Sequence, residues 1–291
     1  MVLTRRAFLK KSLAAGAVPA AGCGLYGLYE PFRISVTRLE IRLRRLPTAF
    51  DGFRLVQISD LHFGPFTGAS EIGAAVRAVN TLNPDLCVIT GDFVSIPVAF
   101  SGIHWSGDPE AAARKIIPCA ELLAGIRAPQ GSVAVLGNHD VGTDPNFVAG
   151  HLSERNIAVL RNAAIPIERG GARLWVVGLD DADYNLMDIS RALATVPAGE
   201  ATIVLVHEPD VADQLARYPA DLQLSGHSHG GQIRIPLLPP LYLPSLAKKY
   251  YEGLYRIGNL QLYTSRGIGT IGLPMRFDCL PEVTLFTLRA G

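Results

Sequence analysis

Seven histidines occur in the 291 residues, and five of them stand in short polar clusters. The clusters read Asp60-Leu61-His62, Gly91-Asp92, Gly137-Asn138-His139-Asp140, His207-Glu208-Pro209 and Gly226-His227-Ser228-His229; only His104 and His151 lie elsewhere. Imidazole nitrogen together with carboxylate oxygen is the donor set of borderline divalent ions such as Mn, Fe, Zn or Co. A lone histidine is ordinarily a satisfied core or surface residue. Five of them alongside Asp60, Asp92 and Asn138 point instead to a metal site. The donors suffice for two ions, and a carboxylate can bridge a pair. Ser59, Ser225 and Ser228 flank the clusters, and beside such a donor set they are expected to hydrogen-bond rather than to attack substrate.

The clusters need elements that bring them together. Phe53–Ile58, Leu86–Thr90, Ser132–Leu136, Thr202–Val206 and Leu222–Leu224 are apolar runs of strand length, and each leads into one of the clusters. In α/β architectures, sites form where loops converge at strand ends. On that basis, Asp60-x-His62 and His227-x-His229 are each expected to present two ligands from one side of an extended segment. Gly91 is expected to permit a tight turn at Asp92. Helices are predicted over Gly68–Leu82, ended by Asn83-Pro84, and over Pro109–Ile126 with a kink at Pro118. A further short helix is predicted over Val211–Ala216, and Asp144-Pro145 reads as an N-cap followed by a first-turn proline. Strands are also expected at Ile34–Val36, Leu39–Leu43, Ile157–Leu160 and Leu174–Val177. The pattern by itself defines a mixed α/β protein, with no internal repeat.

Composition narrows the function. The chain is 48% hydrophobic and 18% charged, so it can bury a sizeable core. Its net charge of +1 is uneven: Arg5, Arg6, Lys10 and Lys11 precede the first acid, Glu30, and the remainder is slightly acidic. No broad basic field exists of the kind that grips nucleic acid, which argues against a nuclease. Cys23, Cys87, Cys119 and Cys279 have neither zinc-knuckle nor redox spacing, and Cys87 and Cys279 are expected to be packing residues.

Residues 1–30 read as an address. Arg5-Arg6 with Phe8-Leu9-Lys10 precedes an uncharged Ala/Gly-rich run from Ser12 to Tyr29. This resembles a bacterial twin-arginine signal and implies the twin-arginine export machinery as a partner. An uncleaved membrane anchor is the alternative, and Ala20-Ala21-Gly22-Cys23 loosely resembles a lipoprotein cleavage box. The expected location is periplasmic, extracellular or membrane-associated, with residues 31–291 forming the working domain.

The five clusters, in this order and at this spacing, resemble the blocks of the calcineurin-like metallophosphoesterases over residues 50 to 290. His207-Glu208-Pro209-Asp210, Ser225–Ile233 and Ser265-Arg266-Gly267-Ile268-Gly269 resemble the bacterial membrane-associated branch of that family. The resemblance implies a four-layer αββα sandwich of two mixed β-sheets. It implies that Asp60, His62 and His229 hold one divalent metal, that Asn138, His207 and His227 hold a second, and that Asp92 bridges them. His139 would be the acid at the leaving group, Asp140 would orient its loop, and Gly137 and Gly226 would shape turns. The implied activity is hydrolysis of a phosphodiester, phosphomonoester or pyrophosphate by a metal-bridging hydroxide. A lipid-linked substrate, as in UDP-2,3-diacylglucosamine hydrolases, is one expectation; a cell-wall or small-molecule phosphatase, or a metal-binding module without turnover, are the alternatives. Two segments bear on this choice. Pro236–Pro244, followed by Lys248-Lys249-Tyr250-Tyr251, and Phe93–Phe100 are apolar loops leaving the clusters. They form either a lip for a lipid tail or membrane, or loops packed on the protein itself. Arg266 is read either as a phosphate contact or as a structural residue.

Overall fold

The computed structural model describes residues 22, 24–96 and 108–291. Most of the expected signal, Cys23, Pro97–Phe100 and His104 therefore lie outside the described residues. Two six-stranded sheets form the body. The first contains β1 (Ser35–Leu43), β2 (Arg54–Ile58), β3 (Leu86–Thr90), β4 (Ser132–Val135), β5 (Ile157–Val159) and β12 (Glu282–Ala290), in the order β1-β12-β2-β3-β4-β5. The second contains β6 (Ala163–Arg169), β7 (Ala172–Gly178), β8 (Thr202–Leu205), β9 (Leu222–Ser225), β10 (Gly253–Ile257) and β11 (Leu260–Thr264), in the order β10-β11-β9-β8-β7-β6. Both are mixed. β2 to β5 run parallel while β12 opposes β2, and β7, β8, β9 and β11 run parallel between antiparallel β6 and β10.

Period-two patterning explains the layers. Leu55, Leu86, Val88, Val133 and Phe286 face inward and pack against Leu174, Val176, Ile203, Leu205 and Leu224 of the second sheet. Their chain neighbours Val56, Cys87, Ile89 and Ala134 face outward, beneath the helices Ala69–Thr81, Ile116–Leu123 and Pro145–Ser153. Val177, Val204 and Val206 likewise carry the helices Ile189–Leu193 and Ala212–Leu215 on the far side. The result is the four-layer αββα sandwich expected. Among the described residues, no helix is long and apolar enough to cross a membrane.

Several local readings change. The predicted Pro109–Ile126 helix is two helices, Pro109–Ala113 and Ile116–Leu123. Pro118 has no N–H and its ring crowds the carbonyl four residues back, so the break falls ahead of it, at Arg114-Lys115. The Val211–Ala216 helix is a 3₁₀ turn at Pro209–Val211 followed by Ala212–Leu215. The two N-terminal strand fragments are one continuous strand, β1, because nine consecutive residues pair in register with β12. The strands β6, β10, β11 and β12 were not anticipated. β12 inserts between β1 and β2 and ties the C-terminus into the first sheet.

Candidate metal centre

All five clusters lie at the carboxyl ends of parallel strands: β2, β3 and β4 of the first sheet, β8 and β9 of the second. The two sheets thus present Asp60, His62, Asp92, Asn138 and His139 opposite His207, His227 and His229. The ligand atoms of Asp60, His62 and His229 lie within 4.8 Å of one another, as do those of Asp92, His207 and His227. Asp92 joins the groups: its Oδ2 is 3.3 Å from His62 Nε2 and 3.2 Å from His207 Nε2. Asp60 Oδ1 is 3.5 Å from His229 Nε2 and 4.0 Å from His207 Nε2.

The backbone that achieves this is not extended. Asp60, His62, Asp92, His227 and His229 all have positive φ, between 46° and 69°. Left-handed backbone is uncommon for residues with a Cβ and is stored where function requires it. The expectation of ligands alternating along an extended segment is therefore corrected. β2 ends at Ile58, and Asp60 and His62 converge because the chain coils beyond it. Gly91, at φ +91°, does make the expected tight turn. Gly137 and Gly226 do not serve as positive-φ turn residues. Each is required by proximity, since a Cβ would strike Asp92 Oδ1 at Gly137, and Ser59 Oγ with Asp60 Oδ2 at Gly226.

Neighbouring oxygens set the histidine tautomers. A carbonyl oxygen only accepts, so His207 donates from Nδ1 to Thr90 O at 2.7 Å, and His227 from Nε2 to Ser245 O at 2.8 Å. Ser95 Oγ donates to His62 O and in turn accepts from His62 Nδ1 at 3.1 Å. His62 Nε2, His207 Nε2 and His227 Nδ1 are thereby the ring nitrogens turned toward the cluster, the arrangement that orients metal-ligating imidazoles. Sequence reasoning missed these supports. Thr90 directly precedes Gly91-Asp92, but Ser245 acts through its backbone and carries no motif signal.

Electrostatics follow from burial. Burial pulls His227 down to about 3 and His139 down to about 4, and with His62 it holds His229 well below the ordinary imidazole value. Burial raises Asp60. Burial would raise Asp92 too, but His207 and His139 outweigh it and hold that carboxyl well below the usual range. Burial opposes protonation of His207, yet Asp92 and Asp60 keep it well above its ordinary value.

His139 Nδ1 accepts the Ile96 N–H at 2.9 Å, so Nε2 carries the proton of the neutral ring. The adjoining Asp140 carboxylate accepts four backbone N–H groups, from Asp92, Phe93, Val94 and Gly137, at 2.9 to 3.2 Å. It ties the β3 and β4 loops together, the orienting role expected of it. Burial and Asp92 push its pKa up to about 7, against those four donors.

Other candidates are accounted for structurally. Ser59 Oγ donates to Thr90 O, and Ser228 Oγ donates to Tyr251 O. Ser225 Oγ accepts from Gln223. Arg266 is tied to Glu282 and Ser35. Buried Cys279 contacts His229 O at 3.1 Å through Sγ, and Cys87, Cys119 and Cys279 are all free. His151 lies at the surface beside Glu154.

The donor set fits divalent metal. Asp60 Oδ2 and Asn138 Oδ1 are buried within the cluster without hydrogen-bond partners, and buried polar atoms left in that state require a ligand to satisfy them. A cleft of about 820 Å³ opens beside Asp92, Asn138, His139, His227 and His229. Its outer wall is apolar, formed by Ile96, Ile233, Leu241, Tyr242, Ile271 and Leu273.

A two-sheet α/β sandwich with this His/Asp/Asn cluster at its converging strand ends is the framework of a metallohydrolase. The chain belongs to the calcineurin-like phosphoesterase family, whose profile matches residues 53–231. It is 36% identical over 294 residues to the "uncharacterized metallophosphoesterase YkuE" of Bacillus subtilis, covering 99% of this chain and 98% of that one. It is 31% identical to phosphodiesterase YaeI of Escherichia coli, over 99% and 100% of the two chains. To the UDP-2,3-diacylglucosamine pyrophosphatase LpxG of Chlamydia trachomatis it is 27% identical, over 88% and 89%. Among solved structures, a 5′-nucleotidase precursor from Thermus thermophilus matches with a TM-score of 0.50 at 17% identity, over 75% of this chain and 49% of that one. That likeness is one of fold.

Proposed function

We infer that the protein is a two-metal phosphoesterase that cleaves a phosphodiester or pyrophosphate linkage in a substrate with an apolar portion. The observation that carries this reading is the union of the two ligand groups through Asp92 at the floor of a cleft with an apolar outer wall. Asp60, His62 and His229 would hold one ion, Asn138, His207 and His227 the other, and Asp92 both. Divalent ions held there supply charge neutralisation for the phosphoryl oxygens and an acidified water. His139, with its proton on Nε2, donates toward the departing oxygen. Asp140 fixes the loops that carry Asp92 and His139. The apolar wall excludes water and accepts the hydrophobic portion of the substrate. The names of two relatives, a phosphodiesterase and a lipid-precursor pyrophosphatase, support the diester and apolar-substrate readings. Arg5-Arg6 and the apolar run to Tyr29 support export through the twin-arginine machinery.

The test is hydrolysis of bis-p-nitrophenyl phosphate, p-nitrophenyl phosphate and an alkyl p-nitrophenyl phosphodiester by metal-free, Mn-, Zn- and Fe-loaded protein. Metal-dependent turnover that favours the alkyl diester and is lost in Asp92→Ala supports the reading. Preference for the monoester sinks the diester assignment, and turnover indifferent to metal sinks the metal centre.

A further inference from the structure

The loop that forms the outer lip of the cleft keeps its apolar side chains in water. Leu237 is fully exposed, and Leu238, Leu241 and Tyr242 are each more than half exposed. Leu237 also sits at φ +70°, a conformation that costs a branched residue energy. Strain and apolar exposure therefore fall on the same residue. The lip is not a loose flap. Pro240 packs directly on Gly231, two residues beyond His229, and the Arg234 guanidinium is paired with Glu252. Exposed apolar patches rimmed by polar residues mark interaction surfaces.

A second apolar element adjoins this one. The helical stretch 24–29 exposes Leu25, Leu28 and Tyr29, and Phe32 follows. It is fastened to the segment beside the cleft: Gly27 O accepts Arg276 N at 3.0 Å, Tyr26 meets Phe277 edge to face, and Glu30 accepts from Asp278 N and Cys279 N. Phe277 is in turn bonded to Gln232 and Arg234 at the base of the lip, and exposed Leu273 lies at the cleft wall. The chain thus leaves the described structure at the same edge where the lip protrudes. The residues beyond that point include the apolar run from Ser12 and the bases Arg5, Arg6, Lys10 and Lys11.

Charge agrees with this placement. No acidic residue occurs from Gly230 to Tyr251 or from Ser265 to Phe277, while Arg234, Lys248, Lys249 and Arg266 do occur there, with Arg234, Lys249 and Arg266 paired to Glu252, Asp213 and Glu282. A face of exposed leucines and tyrosines, edged by Lys248 and joined to an N-terminal run whose sequence carries Arg5, Arg6, Lys10 and Lys11, matches an anionic lipid surface better than a protein partner.

We propose that the lip at 235–242 and the helical stretch 24–29 form one membrane-docking face that seats the mouth of the metal cleft against a lipid bilayer. The catalytic consequence rests on the function inferred above, because only then does docking present substrate to the metals; the docking itself does not. Substrate would enter from the bilayer, with its apolar portion passing along Leu241, Tyr242 and Leu273.

The decisive experiment uses the full-length chain carrying Cys23→Ser, with an environment-sensitive fluorophore on Leu237→Cys or, as a control, on Glu168→Cys. Glu168 is exposed on β6 at the end of the sheet away from the cleft, and the remaining native cysteines are buried. On reconstitution with phosphatidylcholine–phosphatidylglycerol vesicles, the probe at 237 should shift to the blue and be quenched by brominated lipid, while the probe at 168 should not. A probe at 237 that stays as aqueous as the control overturns the proposal, since the N-terminus then merely tethers. A shift without vesicles that grows with protein concentration also overturns it, with a second copy as the occupant. In a parallel arm, Leu237→Asp/Leu238→Asp should lower hydrolysis of a vesicle-embedded phosphodiester about tenfold and leave hydrolysis of bis-p-nitrophenyl phosphate unchanged. Equal loss on both substrates overturns the proposal. If the parent chain hydrolyses neither, the function inferred above fails, and the fluorescence arm still decides the face.

Discussion

The carbonyl oxygen of Ser245 holds the Nε2–H of His227 at 2.8 Å, and the hydroxyl of the same serine donates to Asp183 at 2.7 Å. A residue of the lip loop thereby fixes the lone pair of a metal-ligand candidate, so lip and metal centre are mechanically one unit. Removing an outer hydrogen-bond partner of a ligating histidine typically weakens metal binding about 10–100-fold. Asp183→Ala removes the anchor of Ser245 and not the carbonyl bond itself, so it should weaken one of the two bound ions by at most about tenfold and leave the other in place. Metal titration by calorimetry checks this; equal weakening of both ions contradicts it.

His139 lies within ligand distance of His62 and Asp92, yet its Nδ1 is engaged by Ile96 N–H and its proton is on the other nitrogen. It is placed to serve the leaving group. His139→Asn should retain two ions per chain and lower turnover about 10²–10⁴-fold. The loss should be larger for a poor alkyl leaving group than for p-nitrophenolate. A variant that loses an ion would make His139 a ligand instead.

Gly226 is crowded by Ser59 and Asp60, which leave no room for a Cβ. Gly226→Ala should push the Asp60 carboxylate aside and cut metal content below two ions per chain, while far-ultraviolet circular dichroism stays native. Elemental analysis of the purified variant provides the check. A fully loaded variant would show that the loop has slack.

Acid should remove the contribution of two histidines to the metal-free fold in a defined window. An unfolded histidine takes up a proton near pH 6.5, whereas His139 and His227 resist protonation until about pH 4 and about pH 3. Across that interval these two sites bind more protons in the unfolded chain, so the stability they contribute rises with pH and is lost as pH falls below about 6.5, while Asp140, raised to about 7, acts in the opposite sense. The urea midpoint of His139→Asn should therefore fall less, or rise more, from pH 6.5 toward 4 than that of the parent chain. Identical pH dependence in variant and parent contradicts the burial-driven shift of His139.

Asp140 accepts four buried backbone N–H groups from two loops. Asp140→Ala orphans them, at about 1–3 kcal/mol for a single unsatisfied buried group. The expected loss is about 3 kcal/mol or more, measured by chemical denaturation. A loss below about 1 kcal/mol would mean that water replaces the carboxylate.

The site was legible in the sequence because its chemistry lies in side-chain type and local spacing. Histidine, aspartate and asparagine at the ends of apolar runs name the donors, and period-two patterning names most of the strands that deliver them. The helix at Ala69–Thr81 was legible for the same reason, since Ile72, Val76 and Val79 form a single buried face. Three-dimensional closure was not legible. The left-handed backbone at Asp60, His62, Asp92, His227 and His229 arises because two sheets converge on one point and force each loop to coil inward. Ser245 and Thr90 act through carbonyl groups that every residue possesses, so no residue type marks them. β12 pairs with β1 across more than 240 residues of chain, a contact that local periodicity does not encode. Sequence by itself determined which residue types and spacings mark the candidate donors; tertiary structure decided how they are aimed, which tautomers they hold, and that the lip and the helical stretch 24–29 share one edge of the cleft.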